Sequence, residues 1–173
     1  MAEDTSSEKQ PEPAAAADTG EQVVQAVTIN AQYIKDLSFE APNSPGVLIK
    51  AQASAPDIKI NVDVQAAGIK DKTYEVVLNT QAECKMGDDT AFIVELSYGG
   101  LFTLNLPDEH LKPILLIECP RLLFPFARNI VADATRDAGF PPLMLNPLDF
   151  AAMYRDGISR DDAKPPESDE PES

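Results

Sequence analysis

The chain has 173 residues, with 29 acidic against 14 basic side chains and a formal net charge of −15. This charge excess opposes binding to phosphate backbones or anionic lipids, because basic side chains must supply the contacts that release counterions. Nucleic acid is therefore not an expected partner. With 43% hydrophobic residues, the chain has enough apolar material for one domain with its own core.

The sequence contains no obvious targeting or membrane segment. No stretch approaches the ~18 consecutive apolar residues that a membrane span requires. The first residues are acidic, whereas a signal peptide starts with basic residues followed by apolar ones. We therefore expect a cytoplasmic protein that does not insert into the membrane. The two cysteines, Cys84 and Cys119, form no CxxC pair, so both are expected to be reduced.

Both ends of the chain are acidic and poor in bulky apolar residues. Residues 1–20 carry five acidic groups against one lysine, and residues 161–173 carry six against one lysine. Such segments cannot bury enough surface to offset their chain entropy, so we predict that both tails are disordered and flank a domain at 21–160. A solubilising role for the tails and partner docking by the C-terminal tail both remain open.

The first half of the predicted domain alternates between apolar and polar residues, which indicates strands. Residues 23–39 predict a long first strand whose odd-numbered positions, including Tyr33, share the buried face. On the opposite, polar face lie Asp36 and Glu40. The cluster APNSPG at 41–46 predicts a loop, because Pro42 and Pro45 cannot donate ladder hydrogen bonds.

Three further strands follow. Residues 57–65 alternate strictly, and residues 74–84 and 92–98 form a hairpin around the short reversal Met86-Gly87-Asp88-Asp89. The segment LFTLNLP at 101–107 extends the fourth strand.

The apolar period then changes from about 2 to about 3.6, which is typical of helices. Residues 108–118 predict a short helical or turn segment interrupted or kinked by Pro113. A long helix is predicted to start at Pro120, bend at Pro125 and stop at Gly139. A second, shorter helix is predicted at 147–157 with Asn146 as its cap.

This order predicts an α+β fold, a four-stranded antiparallel sheet followed by a long helix and a shorter C-terminal helix that cover one sheet face. The apolar faces are wider than one sheet and one helical layer require. Such a surplus indicates either self-association or an apolar binding groove, and composition alone leaves both open.

Catalytic machinery is not apparent. His110 is the single histidine, Cys119 lies nine residues downstream, and no P-loop, GxGxxG, HExxH or GxSxG pattern occurs. The adjacent Asp88 and Asp89 are typical of a solvated turn. We therefore expect no enzyme, no cofactor and no metal site.

Four segments of the chain carry a resemblance to a known family: residues 33–45, 74–78, 89–102 and 119–128. Together they closely resemble the protein-export chaperone SecB, in order and without a large gap over about residues 27–154. The resemblance implies a homotetramer, a dimer of dimers with its long helices between two extended sheets. It also implies an ATP-independent holdase that keeps secretory precursors unfolded and delivers them to the motor ATPase SecA.

The resemblance also implies roles for particular residues. Acids and an apolar residue on the exposed sheet face would bind the basic C-terminal tail of SecA, and the matching positions are Asp36, Glu40, Ile93 and Glu95. The loop Gly139–Pro147 would border the client-binding groove through Phe140, Leu143 and Leu145. The interface between dimers would contain Val94, Leu96 and Tyr98. Ile93 stands where the family usually has leucine, a change that preserves apolar volume.

Two alternatives belong to other functional classes. A SecB-like fold can serve a toxin–antitoxin pair, which loss of the acidic face would favour. It can also act as an oligomeric scaffold without chaperone activity. An enzyme would require His110 and Cys119 within hydrogen-bonding reach in a cleft.

Overall fold

The computed structural model describes residues 26–50 and 55–161. The predicted N-terminal tail, the first residues of the predicted first strand and all of the predicted C-terminal tail beyond Asp161 lie outside the described residues. The rest of the predicted domain can be compared with the structure directly.

Four antiparallel strands form one sheet in the order β1-β4-β3-β2. Their bounds are β1 Val27–Glu40, β2 Pro56–Lys70, β3 Thr73–Met86 and β4 Asp89–Leu104. The predicted antiparallel sheet and the hairpin between the third and fourth strands are confirmed, with Gly87 at a φ of 63° in the turn. β1 and β2 are the edge strands.

The helices cover one side of the sheet, which we call the inner face; the other side is the outer face. Most inner-face residues of the two central strands belong to the core, and these are at most 7% exposed. From β3 these are Val76, Leu78, Thr80, Ala82 and Cys84, and from β4 they are Phe92, Val94, Leu96, Tyr98, Phe102 and Leu104.

The simple alternation predicted for β1 is wrong in the middle of the strand. The pairing with β4 shifts by one residue at Asn30 and again at Lys35, so β1 contains two bulges. Each bulge exchanges the faces of the residues that follow it. Between them, Tyr33 lies on the outer face and Ile34 on the inner face, opposite to the prediction. After the second bulge the original phase returns.

The loop predicted at 41–46 is followed by a helix that the sequence reasoning missed, α1 Gly46–Lys50. The side chain of Val47 is 1% exposed and joins the core. A helix of five residues is too short for an apolar period to reveal it.

The long helix starts earlier than predicted. Residues 108–137 form one helical run made of α2 Asp108–Pro113, a π-helical segment Ile114–Glu118, and α3 Cys119–Asp137. Pro120 does not begin the helix, and Pro113 does not end it. Pro120 lacks an N–H group and its ring would crowd the carbonyl four residues earlier. In the wider π turn, the Cys119 N–H donates to the Ile114 carbonyl, five residues earlier. This turn moves the carbonyl of Leu116, four residues before Pro120, away from the proline ring.

The predicted stop at Gly139 is confirmed. Gly139 adopts a φ of 90°, its N–H donates to the Arg136 carbonyl, and the Phe140 N–H donates to the Thr135 carbonyl. This pattern is a Schellman motif, which satisfies the last carbonyls of a helix.

The C-terminal helix begins three residues later than predicted. α4 spans Phe150–Asp161, and its N-terminus is capped by Asp149, whose Oδ1 accepts from the Ala152 N–H at 3.0 Å. Asn146 and Pro147 instead lie in the extended segment between α3 and α4.

Thr135 fastens that connecting segment to α3. Its side chain is 0% exposed, and its Oγ1 donates to the carbonyl of Val131 or Ala132 and accepts from the Leu143 N–H at 2.9 Å. These hydrogen bonds explain why a threonine lies in the apolar row of α3, which the spacing of apolar residues did not reveal.

Replacing Thr135 with valine should lower the free energy of unfolding by about 1–3 kcal/mol, because the Leu143 N–H would lose its partner in a part-buried position. Urea unfolding measures the effect. Thr103→Val is the matched control, since Thr103 Oγ1 accepts a solvent-exposed hydrogen bond from the Asn30 side chain. Equal losses in the two variants would contradict the anchoring role.

Candidate functional site

The outer face brings together the residues predicted to dock a basic partner. Glu40 lies directly opposite Ile93 on β4, and Glu95 lies two residues further along the same face, opposite Ser38. Asp36 is paired with Ser97 in the next row. The two edge-strand acids, Asp36 and Glu40, are exposed, as is Glu95.

Asp36 and Glu95 border a shallow polar trough that runs across the sheet. One row joins Asp36, Ser97, Asn79 and Asp63 from the four strands, and Ser97 Oγ donates to Asn79 Oδ1 at 2.7 Å. The Gln81 Nε2 amide donates to Glu95 Oε1 at 2.7 Å, which fixes the orientation of that carboxylate. The trough has a volume of about 210 Å³. It offers an extended acidic surface without the enclosure that a small ligand requires.

A second feature, which we call the edge groove, runs along β2 on the inner side. Its larger part has a volume of about 290 Å³ and is lined by Ile60, Val62, Leu145, Asn146, Leu148 and Met153. It continues past Val64 and Met153 into a second part of about 190 Å³, where Lys112 and Tyr154 contribute polar groups. Ile58 and Ile60 are 38% and 46% exposed, so β2 presents apolar side chains to solvent beside this groove.

The loop residues predicted to line a client groove have different surroundings. Leu145 contributes to the edge groove but is only 2% exposed, and Phe140 is 4% exposed. The Phe140 ring packs against Phe92 and Phe39, with centroids 5.0 and 6.4 Å apart. Leu143 is half-buried. In this conformation Phe140 belongs to the core, and Leu145 presents little surface.

The residues predicted for an oligomer interface are buried within the protomer. Val94 and Leu96 are 0% and 2% exposed, and Tyr98 is 7% exposed. The accessible apolar surface beside them, which we call the β1–α3 patch, is formed by other side chains. Its members are Ile29, Ile34, Leu37, Leu122 and Phe126, each 40–49% exposed.

Tyr98 connects this patch to the core, because its ring stacks on Phe126 with centroids 6.3 Å apart and Ile34 is its cross-strand partner. On α3 the row Cys119, Leu123, Ala127 and Val131 packs on the sheet at 0% exposure, while Leu122 and Phe126 lie to one side. The broad apolar stripe of α3 therefore packs on the sheet with one part and contributes to the β1–α3 patch with the other.

The histidine and the nearby cysteine do not form a nucleophile–base pair. The His110 side chain is 60% exposed and contacts Glu109 at 3.5 Å, whereas Cys119 is 0% exposed. Burial, followed by the charge of Glu118, raises the pKa of the Cys119 thiol to about 12, so the thiolate does not form near neutral pH.

Within residues 26–50 and 55–161, three or more His, Cys, Asp or Glu side chains are nowhere grouped so that they could hold a metal ion. Over the same ranges, every helix is too short or too polar to cross a membrane.

Sequence reasoning located the acidic face but missed the inner-face members of the two apolar surfaces. Ile60, Val62 and Met153 were not among the residues predicted for a client groove. Their exposure depends on how far the helices extend over the edge strands, for which the alternation of single strands gives no signal.

A strand-then-helix protomer with an acidic outer face and apolar surfaces at both sheet edges matches one class of chaperone. The family model described as "Preprotein translocase subunit SecB" matches residues 20–161. Protein-export protein SecB of Paramagnetospirillum magneticum is 58% identical over 127 residues, covering 73% of this chain and 82% of the relative. Its counterpart from Rhodospirillum rubrum is 55% identical over 130 residues, covering 75% and 81%.

The fold also matches a solved structure. The SecB-like chaperone Rv1957 of Mycobacterium tuberculosis, in complex with a ChAD peptide from the antitoxin Rv1956 HigA1, superposes with a TM-score of 0.60. It is 15% identical and covers 71% of this chain and 91% of that chain.

The chain therefore belongs to the SecB family. Its class is that of chaperones in protein export, and the recognition made from the four sequence segments is confirmed.

Proposed function

We propose that this chain is a cytoplasmic, ATP-independent holdase that keeps secretory precursors unfolded on its apolar surfaces and delivers them to SecA through its acidic outer face. The observation that carries the proposal is that the two kinds of surface occupy opposite sides of one sheet. A holdase with this division can bind a client and a motor protein at the same time.

Client binding is assigned to the edge groove. A holdase binds many sequences, which favours long apolar surfaces over a shaped pocket. The groove follows the free edge of β2, where exposed backbone groups and apolar side chains alternate with the period of an extended peptide. Leu145 would line this groove, while Leu143 and Phe140 would position the loop that carries it.

Ile60→Asp should weaken the binding of an unfolded precursor at least tenfold, about 1.4 kcal/mol, because a charge would be desolvated under an apolar client segment. The measurement is the concentration of chaperone that halves the refolding rate of a precursor without ATP. Asn61→Asp is the matched control, since it adds the same charge one residue away on the outer face. An equal effect of both substitutions would exclude the groove.

SecA docking is assigned to Asp36, Glu40, Ile93 and Glu95. Exposed carboxylates around one apolar side chain suit a basic peptide, and such contacts weaken as salt screens the charges. Client binding, which depends on apolar contact, should respond far less to salt.

Changing Asp36→Asn, Glu40→Gln and Glu95→Gln together should weaken binding of the SecA C-terminal peptide at least tenfold, about 1.4 kcal/mol, and flatten its salt dependence. Precursor holding should remain unchanged. Calorimetric titration of the peptide at two salt concentrations measures the effect.

The control removes the same number of charges from the helices through Asp108→Asn, Glu109→Gln and Asp133→Asn, all exposed. If this control lowers the peptide affinity as strongly, docking is governed by net charge and not by the outer face. Unchanged affinity in the outer-face variant would exclude these residues.

A homotetramer, a dimer of dimers, is proposed to cover the β1–α3 patch. Burying the exposed half of one such side chain contributes on the order of 1 kcal/mol, so the five members act together across repeated interfaces. Val94, Leu96 and Tyr98 would support this interface from below, with Tyr98 holding the Phe126 ring.

Leu122→Glu combined with Phe126→Glu should convert the tetramer into smaller species in light scattering, because two charges would enter an apolar contact. Ile69→Glu is the matched control, since Ile69 is 60% exposed at the far end of β2. A doubly charged variant that stays tetrameric at micromolar concentration would show that another surface joins the protomers.

The antitoxin-specific alternative is less well supported. The Mycobacterium tuberculosis relative binds a peptide from an antitoxin, which supports polypeptide clients in general. This chain keeps three acids on the outer face, as delivery to SecA requires. A chaperone for one antitoxin has no need of them.

A further inference from the structure

On the outer face, one carboxylate ties two strands that are not neighbours. The Tyr33 hydroxyl of β1 donates to Glu75 Oε1 of β3, and the Lys35 Nζ lies 2.9 Å from both Glu75 oxygens. β4 runs between these strands. The side chains therefore reach across about two strand spacings, or ~10 Å.

Gly99 of β4 makes this crossing possible. The Tyr33 ring lies flat over Gly99, and a Cβ atom built on Gly99 would be 2.8 Å from Tyr33 Cε2 and Cζ. Any side chain at this position would push the ring away from the sheet. The absence of a side chain is thus a requirement of the contact and not of the strand itself.

The contact falls where the register of β1 is least constrained. Asn30 and Lys35 are the two bulged residues, and Tyr33 lies between them. β1 is an edge strand, so among the four strands of this sheet its backbone pairs with β4 alone. Lys35 is itself the extra residue of the second bulge, and its ammonium is held by Glu75.

The position of this bulge controls which way the following residues point. Without it, Asp36 and Glu40 would turn toward the inner face, because a shift of one residue exchanges the faces. Phe39 stacks on Phe92 at 5.6 Å and anchors the far end of the strand. The segment between Tyr33 and Phe39 therefore depends on fastening at both ends.

We infer that Tyr33, Lys35 and Glu75 form a clamp that holds the second bulge of β1 and so positions Asp36 and Glu40 for SecA. The inference rests on the proposed docking function and adds three positioning residues to it. The same network raises the pKa of Tyr33 to about 12, first through its hydrogen bond to Glu75. Tyr33 and Lys35, through their hydrogen bonds, lower the pKa of Glu75, so the clamp is intact at neutral pH.

Lys35→Met gives a test in which charge and positioning predict opposite signs. Removal of one positive charge beside an acidic face should strengthen the binding of a basic peptide by simple electrostatics. Loss of the clamp should instead weaken binding of the SecA C-terminal peptide, by at least about threefold. Tighter binding in this variant would overturn the inference.

Tyr33→Phe tests the clamp without changing charge. It should lower the affinity for the SecA C-terminal peptide by a similar factor in the parent chain. It should not lower this affinity in a chain that already carries Asp36→Asn and Glu40→Gln. Titrations are made at low salt so that the latter background still binds. Equal weakening in both backgrounds would mean that Tyr33 does not act through these acids, and the clamp's role would fail.

Tyr74→Phe is the matched control, because it removes a tyrosine hydroxyl from the inner face of β3, where Tyr74 pairs with Phe102. It should leave peptide affinity unchanged. Hydrogen exchange of amides 34–40 should quicken in Tyr33→Phe and not in Tyr74→Phe, and unchanged exchange in Tyr33→Phe would contradict the clamp. If the parent chain itself fails to bind the peptide, the docking proposal fails first. If the parent binds and neither clamp variant differs from it, only the clamp fails.

Discussion

The constraint on which the rest of the structure depends is a mismatch of widths. An α-helix with its side chains is about 10–12 Å across, whereas four strands span about 14 Å between the axes of the outer two. One helical layer centred on β3 and β4 covers their inner face almost completely and leaves the edge strands partly bare. The exposure of Ile29 and Ile34 on β1 and of Ile58 and Ile60 on β2, at 38–49%, is the direct result. Both apolar surfaces, the β1–α3 patch and the edge groove, arise from this incomplete cover.

The same sheet separates two kinds of chemistry through the period of its strands. Alternate residues face opposite sides, so β4 can bury Val94 and Leu96 while it presents Ile93 and Glu95 to solvent. The inner surfaces act through apolar burial, which salt hardly affects, and the outer surface acts through exposed charge, which salt screens. In the proposed function, a client and a basic partner would therefore be bound and released under independent control.

The sequence was sufficient for elements whose signals are local. Strict alternation located β2, β3 and β4, and Gly139 marked the end of α3 because a positive φ is needed there. Where the outcome depended on neighbours in space, prediction failed. The second bulge of β1 lies beside a contact in which Tyr33 reaches Glu75 across another strand, and the π turn lies where Pro120 meets a helix already under way.

The candidate sites divide in the same way. The acidic residues Asp36, Glu40 and Glu95 could be assigned to one face because β4 alternates regularly around Glu95, and the second bulge of β1 restores the original alternation before Asp36 and Glu40. The state of Phe140 and Leu145 could not, since their burial depends on the loop that Thr135 fastens to α3. A resemblance to a family supplies roles for such residues but not the conformation in which they are found.

The dipeptide Gly99-Gly100 shows how closely the two sides of the sheet are connected. Successive residues of a strand face opposite sides, so each glycine serves a different layer. Gly99 lets Tyr33 cross the outer face, and Gly100 lets α3 approach the inner face, where an added Cβ would lie 2.8 Å from Leu123 Cδ2. Glycine costs strand stability because it has no side chain to pack. Here that cost is offset on both faces by the side chains that take its place, so the position of the helix and the register of β1 are fixed at one point of β4.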